Sequence, residues 1–148
     1  MRGITVYPDY GPLRWKEERQ WSHLIKLPGV KSGMRIPVTC RLTSCQHRIV
    51  TPRRVRVQAE IDLSTEEIRL QSDQGPRVRW KSAPEVIPCV SASVTINHMI
   101  VIPKDQPAIL QVSDFQAKGC VELVTVLRDR VIVKGSLKMQ LEAMTRRG

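Results

Sequence analysis

The chain has 148 residues, of which 24 are basic and 14 acidic, and its formal net charge at pH 7 is +10. This length fits one domain, or two very small ones, and one core of this size can bury most of its apolar surface, so disulfide bonds are not needed simply to fold. The charge is compatible with an anionic partner, but an aromatic content of 4% disfavours sugar-binding platforms and base-stacking modules, because both depend on exposed rings.

The N-terminal stretch MRGITVYPDYGPLRW contains no apolar run of signal-peptide length, and nowhere in the chain do about eighteen apolar residues follow one another. We therefore expect synthesis in the cytoplasm without a signal peptide, and no membrane span. Residues 1–20 carry turn-forming prolines and glycine without a sustained strand or helix period, which predicts an extended N-terminal arm. The residues expected to make the assembly contacts of this arm are Ile4, Val6, Tyr7 and Tyr10.

Two segments of the first half alternate apolar and polar residues, as half-buried β-strands do. One runs from Met34 to Leu42, with Pro37 indicating an edge strand or a bulge. The other is RVRVQAEIDL at 54–63, whose polar face begins basic and ends acidic, so that it could pair with neighbouring strands or with another copy of the chain. The next residues fit a helix-capping pattern through Ser64 and Glu67, and we expect at most one short helical turn there.

A loop at 71–76, QSDQGP, precedes a second half that consists mostly of predicted strands. Arg128 and Asp129 are expected to connect the last two strands as a hairpin, although they lack the Gly or Asn that a tight turn prefers. Many short strands indicate a sandwich or a barrel, so the predicted class is all-β and β-sandwich-like. The predicted strands of this half cover residues 90–96, 99–103, 108–112, 120–127 and 130–143.

The two halves resemble each other. Leu27-Pro28 matches Ile102-Pro103 at a spacing of 75 residues, Cys45 matches Cys120 at the same spacing, and RVRVQAEIDL matches RVIVKGSLKM (130–139) at 76. We interpret this as two related β-units that share a core, with half-repeats at about 21–72 and 77–148 inside a domain that covers 21–148. Chance similarity between amphipathic strands is the alternative.

Residues that could carry catalysis are few. The chain has no glycine-rich phosphate loop, no Gly-x-Ser-x-Gly elbow and no His-Glu-x-x-His pair, and its histidines, His23, His47 and His98, each stand alone. We therefore expect neither enzyme activity nor a cofactor.

The best candidate metal ligands are Cys40, Cys45 and His47, with Cys89, His98 or Cys120 as a fourth. Residues five apart on a strand point to opposite faces, so the first two thiols converge only if a turn at 43–44 folds them together, and we expect no metal site. Buried thiols are one alternative, and disulfides within or between chains are the other. The candidate disulfide cysteines are Cys40, Cys45, Cys89 and Cys120.

Arginine dominates the basic residues, which suits bidentate contacts to phosphate or carboxylate, or contacts between subunits. No recognition helix or aromatic platform accompanies the arginines, so binding to nucleic acid is disfavoured and a solvated basic surface is the simpler interpretation. The residues of this predicted basic surface are Arg48, Arg53, Arg54, Arg56, Arg77 and Arg79.

Two stretches resemble parts of the SPOCS domain, which occurs in spore-coat-associated proteins of endospore-forming bacteria. Residues 19–63 resemble the latter part of the domain, with an aromatic-led segment, a Leu-Pro-Gly turn and an Arg-rich entry to a strand. Residues 102–143 resemble its opening, where a Pro-x-x-x-Pro-x-Ile-x-x-Val lead from Pro103 to Val112 is followed by the VIVKGSL strand. In this chain the closing piece therefore precedes the opening piece.

The resemblance implies a structural part of the spore envelope, made in the mother cell, with no catalytic residues. Proline-marked strands, charges of both signs on strand faces and an extended arm also fit a subunit that associates through sheet edges. We expect a self-assembling protein of a spore coat or appendage, whose partners are copies of itself and other coat proteins. The alternative is a basic β-domain that binds nucleic acid or an anionic envelope polymer.

Overall fold

The protein is an all-β molecule in a computed structural model that describes residues 10–69 and 86–146. Within these ranges the chain forms strands and no helix, which confirms the predicted class. The helical turn expected around Ser64 and Glu67 is absent, because Ser64 lies near the end of a long strand. The strands are β1 (Tyr10–Lys26), β2 (Val38–Thr51), β3 (Arg54–Thr65), β4 (Ile68–Arg69), β5 (Val86–Ile87), β6 (Ser91–Val101), β7 (Ala108–Leu127) and β8 (Arg130–Arg146).

Two antiparallel three-stranded sheets enclose the core. Sheet A has the order β1-β8-β7, sheet B has the order β2-β3-β6, and β4 pairs with β5 as a short ribbon. The central strands β8 and β3 direct every second side chain inward, which is the period that the sequence showed at 54–63 and 130–143. Their buried apolar residues join one cluster between the sheets, which is a sandwich-like arrangement. These residues are Val55, Val57, Ala59, Ile61 and Leu63 on β3, and Val131, Val133, Leu137, Met139, Leu141 and Ala143 on β8.

The edges of the two sheets meet along two seams. At one seam β2 lies beside β7, and the His47 ring stacks on Phe115 with 5.0 Å between ring centroids. At the other seam β1 lies beside β6, where Arg19 donates a hydrogen bond from Nη1 to the Asn97 carbonyl at 3.1 Å. Each edge strand of one sheet therefore contacts an edge strand of the other.

The two halves of the chain are interlocked. Each half supplies a first strand and then a hairpin, β1 with β2–β3 and β6 with β7–β8, and the first strand pairs with the last strand of the other half. Equivalent bonds hold the two hairpin turns: Leu27 N donates to Asp129 O at 3.0 Å, and Ile102 N donates to Arg53 O at 2.8 Å. The two donors are 75 residues apart and the two acceptors are 76 residues apart, which are the spacings at which the two halves resemble each other in sequence. The two halves therefore have the same strand order and the same hydrogen bond at the hairpin turn.

Several strands are longer than the sequence predicted. Most of the segments 90–96 and 99–103 falls in the single strand β6, and 108–112 and 120–127 both belong to β7. Register shifts along the pairing of β7 with β8 show β-bulges that interrupt the alternation without ending the strand, which explains why the apolar pattern of β7 predicts two pieces. The strand predicted from Met34 begins only at Val38, directly after Pro37, which has no N–H to donate.

The predicted arm lies partly in the sheet. Residues 10–20 are extended, as predicted, but they belong to β1 and pair with β8 of the same chain. Three of the assembly residues predicted for the arm, Ile4, Val6 and Tyr7, lie outside the described residues. The fourth, Tyr10, is the first residue of β1 and lies opposite Arg146.

The hairpin predicted at Arg128-Asp129 connects β7 to β8. Asp129 adopts a φ of 61°, the left-handed conformation that Gly or Asn usually supplies in such a turn. Its Oδ1 accepts a hydrogen bond from Gly29 N at 3.0 Å, which joins the turn to the segment after β1. The turn therefore forms without glycine because the Asp129 side chain has a tertiary partner.

Candidate assembly surface

Of the seven exposed large apolar side chains of the described residues, four lie on sheet A, two on sheet B and one on β5. The residues between the four along the outer face of sheet A are mostly charged or polar. The four form two groups at opposite ends of that face. The four residues are Leu24, Leu110, Leu123 and Met144.

The first group, which we call the arm-end patch, consists of Leu110 and Met144 with Pro12. Met144 lies opposite Pro12 in the register of β1 with β8, and Leu110 sits at a register shift in β7 that leaves it 47% exposed. This is also the end at which β1 begins.

The second group, the turn-end patch, consists of Leu24, Ile132 and Leu123. Leu24 lies opposite Ile132, and Leu123 lies opposite Lys134 in the neighbouring row, so the three side chains share the outer face. Leu24 is 45% exposed and Leu123 is 53% exposed. From Ile132 to Met144 the strand β8 spans about 40 Å at the usual rise of a β-strand.

The predicted disulfide and metal residues occupy different environments. All four cysteines are free thiols: Cys89 is exposed, and the other three are half-buried. Cys40 and Cys45 both lie opposite inward-facing residues of β3. A register shift between Leu42 and Ser44 adds one residue to β2, so the two cysteines point to the same face although they are five residues apart. The expectation that these two thiols point to opposite faces was therefore wrong, and the bulge is the physical reason.

Cys40 faces the β2–β7 seam. Burial raises the pKa of its thiol, and the nearby Cys120 thiol raises it further. Burial likewise raises the pKa of Cys45. Both thiols are therefore less ionised at neutral pH than an ordinary cysteine and react more slowly as nucleophiles. Among the described residues no group of three or more His, Cys, Asp or Glu side chains could hold a metal ion.

The predicted basic surface separates into three parts. Arg48 lies directly opposite Arg56 on the outer face of sheet B, with Arg54 in the next row. Arg53 has a structural role instead, since its Nη1 donates to the carbonyl oxygens of Pro103 and Gln106, each at 2.6 Å. Arg77 and Arg79 lie outside the described residues.

One histidine has an acidic partner that the sequence did not indicate. His98 of β6 contacts the Glu17 carboxylate of β1 through Nε2, across the seam that joins the two sheets. Arg19 Nη1 lies 3.4 Å from His98 Nδ1 in the same place. No sequence signal could have found this group, because its members come from opposite halves of the chain.

The comparisons with known proteins found no match to a family model, to a curated protein or to a solved structure. In the part of the chain that the structure describes, no helix is long and apolar enough to cross a membrane.

Proposed function

We propose that the protein is a structural subunit that assembles end to end with copies of itself, as part of a bacterial spore coat or spore appendage. The observation that carries the proposal is the pair of apolar patches at opposite ends of the outer face of sheet A. Exposed apolar groups of this kind mark surfaces that associate.

Two different patches at opposite ends favour a head-to-tail contact. Such a contact joins unlike surfaces, and it extends into a fibre unless the rotation between subunits closes a ring. The arm-end patch of one copy would meet the turn-end patch of the next. We propose that the arm residues predicted from the sequence, Ile4, Val6 and Tyr7, add apolar contacts to the neighbouring subunit. The edges of the two sheets face each other inside the subunit, so the arm and the patches are the contacts we propose.

The assignment to a spore structure comes from the SPOCS resemblance. In the sequence the piece that resembles the end of the domain comes first, but β1 and β8 pair along their whole length. Segments from the two resembling stretches therefore lie side by side in sheet A, although they stand far apart in the chain.

Negative-stain electron microscopy of the purified protein at physiological salt tests the proposal, and we expect fibres, tubes or sheets. A Leu24→Ser, Leu123→Ser double variant should lose them, because it removes the exposed apolar surface of one patch. Val101→Ser is the matched control, since Val101 is 52% exposed but lies on sheet B. Deletion of residues 1–9 should shorten or abolish the polymers.

Monodisperse particles of the unaltered protein would contradict intrinsic self-assembly. The alternative function would then be tested through Arg48, Arg54 and Arg56, whose opposed positive charges have no acidic partner among the described residues. Binding of a nucleic acid or an anionic polymer at that surface would weaken steeply with added salt.

A further inference from the structure

A groove of about 570 Å³ crosses the outer face of sheet A, midway between the two apolar patches. It is lined by two cross-strand rows of the same face, Lys16–Gln140–Gln116 and Glu18–Lys138–Lys118, and by Glu17, Met139 and Ala117 of the row between them. The six side chains of the first two rows point away from the core, because the residues between them on β8 are inward and buried. The groove belongs neither to the patches nor to the basic surface of sheet B.

The charges in this groove are not balanced. Lys118 and Lys138 lie directly opposite each other, an arrangement that is unfavourable for like charges on a sheet. Lys16 is in the other row of the same face. In the described chain none of the three lysines forms an ion pair, although Glu18 lies opposite Lys138.

The other carboxylates near the groove have partners of their own. Glu17 contacts His98, and Glu142 lies 3.3 Å from Arg14 Nε. Asp114 Oδ2 accepts a hydrogen bond from Gln116 Nε2 at 3.3 Å. The lining therefore holds three ammonium groups and two carboxylates, of which Glu17 contacts His98 and Glu18 forms no ion pair among the described residues, with amide donors beside them.

We propose that this groove binds a linear oligophosphate. Ammonium groups are compact charges with three donors each, and they pair with phosphate oxygens without a fixed planar geometry. Directly opposed side chains on a sheet have Cβ atoms about 5 Å apart. Successive phosphates share a bridging oxygen, so a short chain of them brings several charges within reach of all three lysines. An acidic peptide is a poorer match, since same-face carboxylates of an extended chain repeat at about 7 Å.

Isothermal titration calorimetry of the full chain with sodium tripolyphosphate tests the site. We expect one equivalent to bind, with an affinity that falls as salt is added. Lys118→Gln and Lys138→Gln should each weaken binding by about tenfold, since each removes one charge-assisted contact. The matched controls are Lys134→Gln on the same face beyond the groove and Arg54→Gln on sheet B, and both should stay within about twofold.

Thermal unfolding of each variant checks that a loss of binding is not caused by a loss of the fold. Lys118→Gln relieves a like-charge contact, so its Tm without ligand should equal or exceed that of the unaltered protein, whereas Lys138→Gln also removes the cation opposite Glu18 and should leave the Tm nearly unchanged. Tripolyphosphate should raise the Tm of the unaltered protein more than that of either variant. Tighter binding of adenosine triphosphate than of tripolyphosphate would place a nucleotide, through the same phosphate chain, as the ligand. Three results would overturn the proposal: no binding, equal loss in the control variants, or equal binding of a hexaglutamate peptide. Performed on the Leu24→Ser, Leu123→Ser variant, the titration is independent of assembly, so the two proposals can fail separately.

Discussion

At the scale of single residues, Gly135 has the strongest steric requirement in the described chain. It lies at the centre of sheet A, opposite Trp21 of β1 and Val121 of β7. A Cβ at this position would overlap both the Cys120 carbonyl oxygen and the Trp21 indole. The buried Trp21 ring therefore packs directly on the glycine, and this contact explains why a strand of otherwise branched and long side chains contains a glycine.

Replacing Gly135 tests this packing. Gly135→Ala should lower the free energy of unfolding by about 2–3 kcal/mol, because a backbone oxygen and a buried indole cannot both move away. Gly119→Ala is the matched control: its Cβ would lie 3.2 Å from Cys40 Sγ and from Ile61 Cδ1, which are ends of side chains that can shift. We expect a loss below about 1 kcal/mol for the control. Urea denaturation measures both, and equal losses would argue against the indole contact.

At the scale of elements, the sequence predicted the central strands well, but it did not predict that the long edge strands continue without a break. Residues 54–63 and 130–143 follow a strict period of two because β3 and β8 are central strands with one face in the core. The edge strands β2 and β7 carry bulges, and after each bulge the inward-facing positions shift by one residue. The sequence pattern therefore predicted breaks in β7 and opposite faces for residues of β2 that share one. Cys40 and Cys45 show the consequence, since only the observed register puts both thiols on the inner face.

The turn between β7 and β8 is an element whose stability depends on one side chain. Asp129→Ala loses the hydrogen bond from Gly29 N and keeps a φ that alanine disfavours, so it should destabilise the protein by about 1–3 kcal/mol. Asp129→Asn retains an acceptor oxygen and tolerates the left-handed conformation, so its cost should be less than half as large. Thermal unfolding followed by circular dichroism compares the two. A similar loss in both variants would show that the negative charge, rather than the turn geometry, is what matters.

At the scale of the whole molecule, neither half can complete its own sheet. The central strand β3 obtains one neighbour from the second half, and β8 obtains one from the first. The core residues of both sheets form one cluster, so loss of either half exposes the apolar face of the other. We therefore expect the two halves to fold only together.

Separated halves test this interdependence. Residues 1–74 and 75–148, prepared as two chains, should each lack cooperative unfolding, while an equimolar mixture should recover the β-sheet signal in circular dichroism. The intact chain should unfold in a single transition, as expected for one core. Cooperative unfolding of either fragment alone would show that the strand exchanged between the halves contributes little to stability.

The sequence by itself determined the all-β class, the two central strands and the position of the last hairpin, because each of these depends on local spacing of apolar and turn-forming residues. Only the tertiary structure decided that β1 and β6 cross to the opposite half, that the thiols of Cys40 and Cys45 share a face, and that Lys16, Lys118 and Lys138 converge on one groove. These features depend on strand register and on contacts between residues far apart in the chain. A pattern of period two specifies which residues share a face of a strand, but it carries no information about which strand lies alongside.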